Sequence, residues 1–135
     1  MPFVRIDALG TDPARLGALG DAVHEALTET LGVPPDDRFQ VLTGHDGVTG
    51  TLRYDSYLGL PKDASAVFVA ITLRAGRSPE RKRALYRRIA ELVHERTGTA
   101  PHNVVVTLTE NTDVDWSFGD GLAQYAPAGA EPAGA

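Results

Sequence analysis

Residues 12–43, DPARLGALGDAVHEALTETLGVPPDDRFQVLT, and residues 78–109, SPERKRALYRRIAELVHERTGTAPHNVVVTLT, lie against each other without a gap at an offset of 66 residues. Identities fall at Pro13 and Pro79, Arg15 and Arg81, Ala18 and Ala84, Leu19 and Leu85, Glu25 and Glu91, and Glu29 and Glu95. They continue through Gly32 and Gly98, Pro35 and Pro101, Leu42 and Leu108, and Thr43 and Thr109. Similarity at one fixed offset marks two copies of a single supersecondary unit.

Each copy reads as β-α-β. Asp12-Pro13 and Ser78-Pro79 pair a capping side chain with a proline suited to the first helical position. Gly32 and Gly98 stand where a helix ends in a left-handed residue. The apolar stripes are Leu16, Leu19, Val23, Leu27 and Thr30 in the first helix, and Leu85, Ile89, Leu92 and Arg96 in the second. Strands are expected ahead of the helices at 2–8 and 66–73, and after them in RFQVLT and NVVVTLT. The expected fold is therefore α/β (α+β): two tandem β-α-β units, about 2–43 and 66–109, form a four-stranded sheet with two helices on one face. The run AVFVAITL is apolar on both sides of its strand, so the second face of the sheet needs cover. Further copies of the chain supply that cover most economically, and an oligomer is expected.

Outside the repeats, GHDGVTGTLRYDSYLGLPKDAS between the copies is turn-rich and reads as a hairpin or loop over the sheet edge. Residues 126–135, APAGAEPAGA, have the composition of a disordered tail after a single domain of residues 1–125. The chain opens Met1-Pro2. A small second residue favours removal of the initiator methionine, which would turn the Pro2 nitrogen from an amide into a secondary amine. Such groups titrate at roughly pH 7.7–8.0 or somewhat higher, and burial and neighbouring charges move them.

The 135 residues, 42% of them hydrophobic, suffice for one core and not for two ordinary domains. A net charge of −5 argues against a nucleic-acid partner, and the clustered arginines of 74–96 are interleaved with acids as on a solvated helix face. No apolar run is long enough to span a bilayer, and the first residues lack the pattern of a signal peptide. No membrane partner is expected, and the expected compartment is the cytoplasm. With no cysteine, and with His45, His94 and His102 at no metal-ligand spacing, neither a metal nor another cofactor is expected.

An N-terminal proline on a strand, two β-α-β copies and an expected oligomer together resemble the tautomerase superfamily. Within it, DAVHEALTETLGVPPDDRFQ, ITLRAGRSPERK and NVVVTLTENTDVDWSFGDG are most similar to malonate semialdehyde decarboxylase and its relatives. The resemblance implies a homotrimer with one site per subunit, acting on a small-molecule carboxylate. Pro2, Asp37, Arg74 and Arg77 match the catalytic residues, and Trp116 and Phe118 match aromatic walls of the pocket. Two residues separate the arginines in RAGR where the decarboxylase pattern has one. That spacing, and His24 as a substrate contact, resemble instead cis-3-chloroacrylic acid dehalogenase, whose water-activating glutamate has no evident counterpart here.

The residues carry this chemistry on their own terms. Arg74 and Arg77 follow a buried strand and precede a helix N-terminus, where parallel β-α units bind anions, and guanidinium matches a carboxylate. Asp37, in a PPDD turn, would favour a protonated amine if it faces Pro2. The leading expectation is a malonate semialdehyde decarboxylase-like enzyme with keto-enol tautomerase activity. The alternatives are a dehalogenase-like hydratase and a non-catalytic trimeric ligand-binding module.

Overall fold

In a computed structural model, which describes residues 1–127, the chain forms β1 (Phe3–Leu9), α1 (Pro13–Leu31), β2 (Gln40–His45), β3 (Val67–Arg74), α2 (Pro79–Thr97) and β4 (Val104–Asn111). Short 3₁₀ turns lie at Pro101–Asn103 and Asp113–Asp115. The sheet order is β2-β1-β3-β4. The outer pairs, β1 with β2 and β3 with β4, are parallel, while the central pair β1 and β3 is antiparallel, with Val4 opposite Ile71. Two right-handed units thus stand side by side, head to tail.

The punctuation read from the sequence holds at atomic detail. The Asp12 carboxylate accepts from the Ala14 amide at 3.1 Å, and the Ser78 hydroxyl from the Arg81 amide at 3.2 Å. Gly32 and Gly98 end the helices at φ 70° and 73°. Strand bounds shift by one or two residues. Pro2, which has no amide hydrogen for a ladder, stays outside β1. β2 and β4 begin one or two residues later than read and run to His45 and Asn111.

Both helices lie on one face of the sheet. Leu19, Val23 and Leu27 of α1 meet Leu85, Ile89 and Val93 of α2 over Val4, Ile6, Val69, Ile71 and Leu73. The ends of the stripes differ from the reading. Thr30 is half-buried and bonds back to the Ala26 carbonyl, and Arg96 is exposed, pairing with Glu25 across the helices. Val93 fills the core in place of Arg96, continuing the four-residue spacing of Leu85 and Ile89.

The run AVFVAITL divides between faces. Val67, Val69, Ile71 and Leu73 enter the core, while Phe68, Ala70 and Thr72 stand on the open face with Phe3, Val41 and Val105. Residues 46–66 cross that face as an irregular loop and not as a hairpin. One tight turn joins Tyr57 to Leu60 through Leu58 and Gly59, both at positive φ (54° and 70°), and leaves Leu58 77% exposed. With Phe68, Val104 and Val105 the loop borders an apolar cavity of about 780 Å³ at the end of the sheet away from Pro2.

The repeat is not perfect. Three residues join β1 to α1 and four join β3 to α2. The helices correspond as Pro13 to Pro79, but the strands correspond as Val4 to Val69, with matching faces. The extra residue lies in the Arg74–Arg77 turn. The tail expected at 126–135 falls outside the described residues apart from Ala126 and Pro127. Among the described residues no helix is long and apolar enough to cross a membrane.

Candidate active site

Topology brings the site together before any side chain is considered. Because β1 runs antiparallel to β3, the chain's first residues lie beside the C-terminal end of β3, where Phe3 is opposite Thr72. Two steps further along that register stand Met1 and Arg74. On the other flank the amide of Val4 donates to the Phe39 carbonyl at 3.0 Å, which lays the segment carrying Asp37 against the start of β1.

The amino group that ends the chain, here that of Met1 ahead of the buried Pro2, is held below its usual value of 8.0. Burial is the main cause, and Arg74 and Arg77 add to it, while Asp37 and Asp113 pull the other way. Asp37 is held above the ordinary carboxylate value, first by burial and then by Asp36, against the opposing pull of the amino group, His24 and Arg74. Its Oδ1 is buried without a hydrogen-bond partner among the described residues. A buried, unpartnered carboxylate oxygen beside an amine is poised to accept a hydrogen bond that the amine or a ligand supplies.

The two arginines differ. Arg74 donates to Asp113 at 3.0 Å and lies over the Tyr125 ring, 4.4 Å from its centre. The structural partner that one of them requires is therefore Asp113 and not Asp37. Arg77 donates through Nη1 to the Arg74 carbonyl at 2.9 Å and has no carboxylate partner among the described residues. Burial, with the charges of Arg74 and Arg81 next, holds it below the usual arginine value. A half-buried guanidinium with donors to spare is an anion site.

Aromatic rings close this end of the sheet. Trp116 stacks on Phe118 at 5.5 Å, and Phe118 meets Tyr125 edge-on at 5.0 Å and Phe39 at 5.8 Å. The Trp116 Nε1–H donates to Asn111 Oδ1 at 2.8 Å, and Thr112 and Asp115 cap the turn that carries Asp113. Asn111, Asp113, Tyr125 and Phe39 were not singled out in the sequence. Asn111 and Asp113 stand in TENTDVDW directly ahead of Trp116, and Tyr125 is the last aromatic before the Ala/Pro/Gly tail, so position alone marked them. His24 stands beside the turn that carries Asp37, close enough to pull on its carboxyl. It is 7% exposed in α1, and its Nε2 bonds the Pro35 carbonyl at 2.7 Å.

At the opposite end of the sheet the repeat puts Leu9 where Arg74 stands, Leu52 for Phe118 and Asn103 for Asp37. Leu9, Leu52 and Ala66 pack there as a small apolar cluster with Phe68. Asn103, 1% exposed, is bonded to Asp63. The arginine of one end is therefore matched by a leucine in an apolar cluster at the other.

A sheet of two head-to-tail β-α-β units defines the tautomerase fold. The chain belongs to the tautomerase family: a family model described as tautomerase enzyme matches residues 37–119, and another of the same description matches residues 2–60. It is 36% identical over 126 residues to the probable tautomerase YusQ of Bacillus subtilis (strain 168), covering 92% of this chain and 98% of that protein. It is similar to FG41 malonate semialdehyde decarboxylase inhibited by 3-bromopropiolate, with 39% identity, a TM-score of 0.83, and 91% and 93% of the two chains covered. It is also similar to a fused 4-OT symmetric trimer, with 25% identity, a TM-score of 0.73, and 92% and 98% covered.

Proposed function

We propose that removal of Met1 makes Pro2 the proton-carrying group of a malonate semialdehyde decarboxylase-like enzyme, with keto-enol tautomerase activity on small oxo-carboxylates. The observation that carries this reading is Arg77, a guanidinium without a carboxylate partner among the described residues, beside an amino group whose proton is held loosely. Arg77 binds the substrate carboxylate. Arg74, steadied by Asp113 and Tyr125, supplies positive field. Trp116 and Phe118 shut out water.

In decarboxylation of a β-oxo acid the bond from the α-carbon to the carboxylate breaks, and its electron pair moves toward the carbonyl. The Pro2 ammonium gives that oxygen its proton, carbon dioxide leaves, and the enol returns to the aldehyde by protonation at carbon. Asp37 favours the ammonium form. In tautomerisation the neutral amine moves a proton between oxygen and carbon, from the enol hydroxyl to carbon when phenylenolpyruvate is the substrate.

Intact mass and an assay on malonate semialdehyde and phenylenolpyruvate test the reading. The processed protein should turn over at least one of them. A form extended ahead of Pro2 should be inactive, and Pro2→Ala, which keeps a primary amine in place, should lose rate with little change in substrate binding. Retention of Met1, or a processed protein inert on both substrates, overturns it.

We further propose a homotrimer joined through the open face of the sheet. Support comes from the likeness to a protein solved as a symmetric trimer, and from Phe3, Val41, Val105 and the Tyr57–Leu60 turn lying uncovered on that side of the single chain.

A further inference from the structure

His24 is a polar side chain in the middle of a helix face that otherwise buries Leu19, Val23 and Leu27. Burying an imidazole there is unfavourable unless its polar atoms are satisfied, and Nε2 is satisfied by the Pro35 carbonyl at 2.7 Å. A carbonyl only accepts, so Nε2 carries the proton, and that nitrogen is not free to meet a substrate.

The bond falls at a consequential place. After α1 ends at Gly32 the chain doubles back along the helix. The Asp37 amide closes a turn onto the Pro34 carbonyl at 3.0 Å, with Pro35 and Asp36 as its central residues. Further on, Arg38 pairs with Asp21 at the surface, and the Gln40 side chain donates to the Gly20 carbonyl at 2.8 Å. Within the Pro34–Asp37 turn, the bond from His24 is the contact that reaches it from the helix. Asp37 itself makes no side-chain hydrogen bond at its buried oxygen, so its aim depends on the backbone that carries it.

We infer that His24 is the positioning residue of the site: its Nε2–H clamps the Pro35 carbonyl and thereby fixes Asp37 against the start of β1, without itself touching substrate. The inference rests on the reading of Pro2 as the working amine. The charged groups around the chain's amino group, here that of Met1, are Asp37, Asp113, Arg74 and Arg77, and those around Asp37 are that amino group, Asp36, His24 and Arg74. Loosening the turn lets Asp37 move away from the amine, and the ammonium loses its nearest support.

The test titrates the Pro2 nitrogen by NMR in processed, proline-labelled protein, which requires no substrate. Asp37→Asn should lower the amine pKa. His24→Leu, which keeps volume and removes the bond, should lower it by at least half as much, and His24→Gln, which returns a donor near the Nε2 position, should restore it. In turnover, His24→Leu should lower kcat on the order of 10-fold or more with KM little changed, as expected when a reacting group is misaligned. If His24→Leu does not fold, His24→Asn, too short to reach Pro35, replaces it.

If Asp37→Asn moves the amine and the His24 variants do not, the clamp is wrong while the reading of the site stands. A rise in KM with kcat unchanged would make His24 a substrate contact and also overturn the inference. If Asp37→Asn leaves the amine unmoved, the coupling of Asp37 to Pro2 fails, and the clamp fails with it.

Discussion

Arg74 and Arg77 are three residues apart and identical in type, yet the strap of residues 112–125 sets them in different surroundings by giving Asp113 and Tyr125 to Arg74. Arg77→Ala should lower kcat/KM for an oxo-carboxylate by about 10²-fold, on the order of 3 kcal/mol. Arg77→Lys should recover little of it, because an ammonium cannot make the two-pronged contact. Steady-state kinetics of the three proteins decides, and full activity in Arg77→Ala would transfer the anion site to Arg74.

Asp37 yields a prediction with two signs. An ammonium that works as a cation is present below its pKa and lost as pH rises through it. Asp37 raises that pKa, so Asp37→Asn should move the alkaline limb of the pH–rate profile to lower pH, whereas Arg77→Lys, which keeps the charge, should leave it in place. Stability should respond the opposite way. Folding raises the pKa of Asp37, so its ionised form opposes folding above the folded pKa, and the penalty fades as pH falls through that value toward the unfolded one. Asp37→Asn should therefore be more stable than wild type to urea at neutral pH, with the difference closing near pH 4.

At the scale of elements, α1 offers a controlled pair. A methyl at Gly17 would meet nothing within 4 Å, whereas one at Gly20 would lie 2.7 Å from Gln40 Oε1 and 3.2 Å from a Leu42 methyl. Gly17→Ala should stabilise the fold by about 0.5–1 kcal/mol through helix propensity. Gly20→Ala should destabilise it by about 1–3 kcal/mol despite the same propensity gain, because the Gln40 amide, which bonds the Gly20 carbonyl, and the Leu42 side chain must give way. Urea unfolding of both variants measures the contrast.

The helix ends were legible because capping is local: Asp12-Pro13, Ser78-Pro79, Gly32 and Gly98 act within a few residues of themselves. What the sequence hid is set by distant packing. The path of the strap decides that Asp113 takes Arg74. The one-residue difference between the two strand-to-helix turns was invisible in a helix alignment that runs without a gap. Pro2, Asp37, Arg74, Arg77, Trp116 and Phe118 could be named in advance because a resemblance supplied them, and the structure brings them to one end of the sheet.

For the whole molecule, the open face carries the consequences. Ala70 is exposed near its centre, directly opposite Arg5 on β1. Ala70→Glu can pair with Arg5 and leave the single chain intact, yet it places a charge in the middle of any contact made through that face. Light scattering should find trimer for wild type and monomer for the variant. A wild-type monomer at micromolar concentration removes the proposed assembly, and a variant that stays trimeric moves it to another face.

The apolar counterpart at the far end of the sheet follows from how a doubled chain is joined. A terminal amine exists once per chain, and linking two units end to end converts the second one's amine into the peptide bond between Ala66 and Val67. A fused pair can keep only one nitrogen of this kind, so the charges that served the other have nothing left to act upon. Leu9 stands where Arg74 stands in the other unit, packed with Leu52 and Ala66. Cutting the chain ahead of Val67 would restore an amine there and no activity, since Leu9 and Thr11 now stand where the arginines would have to be.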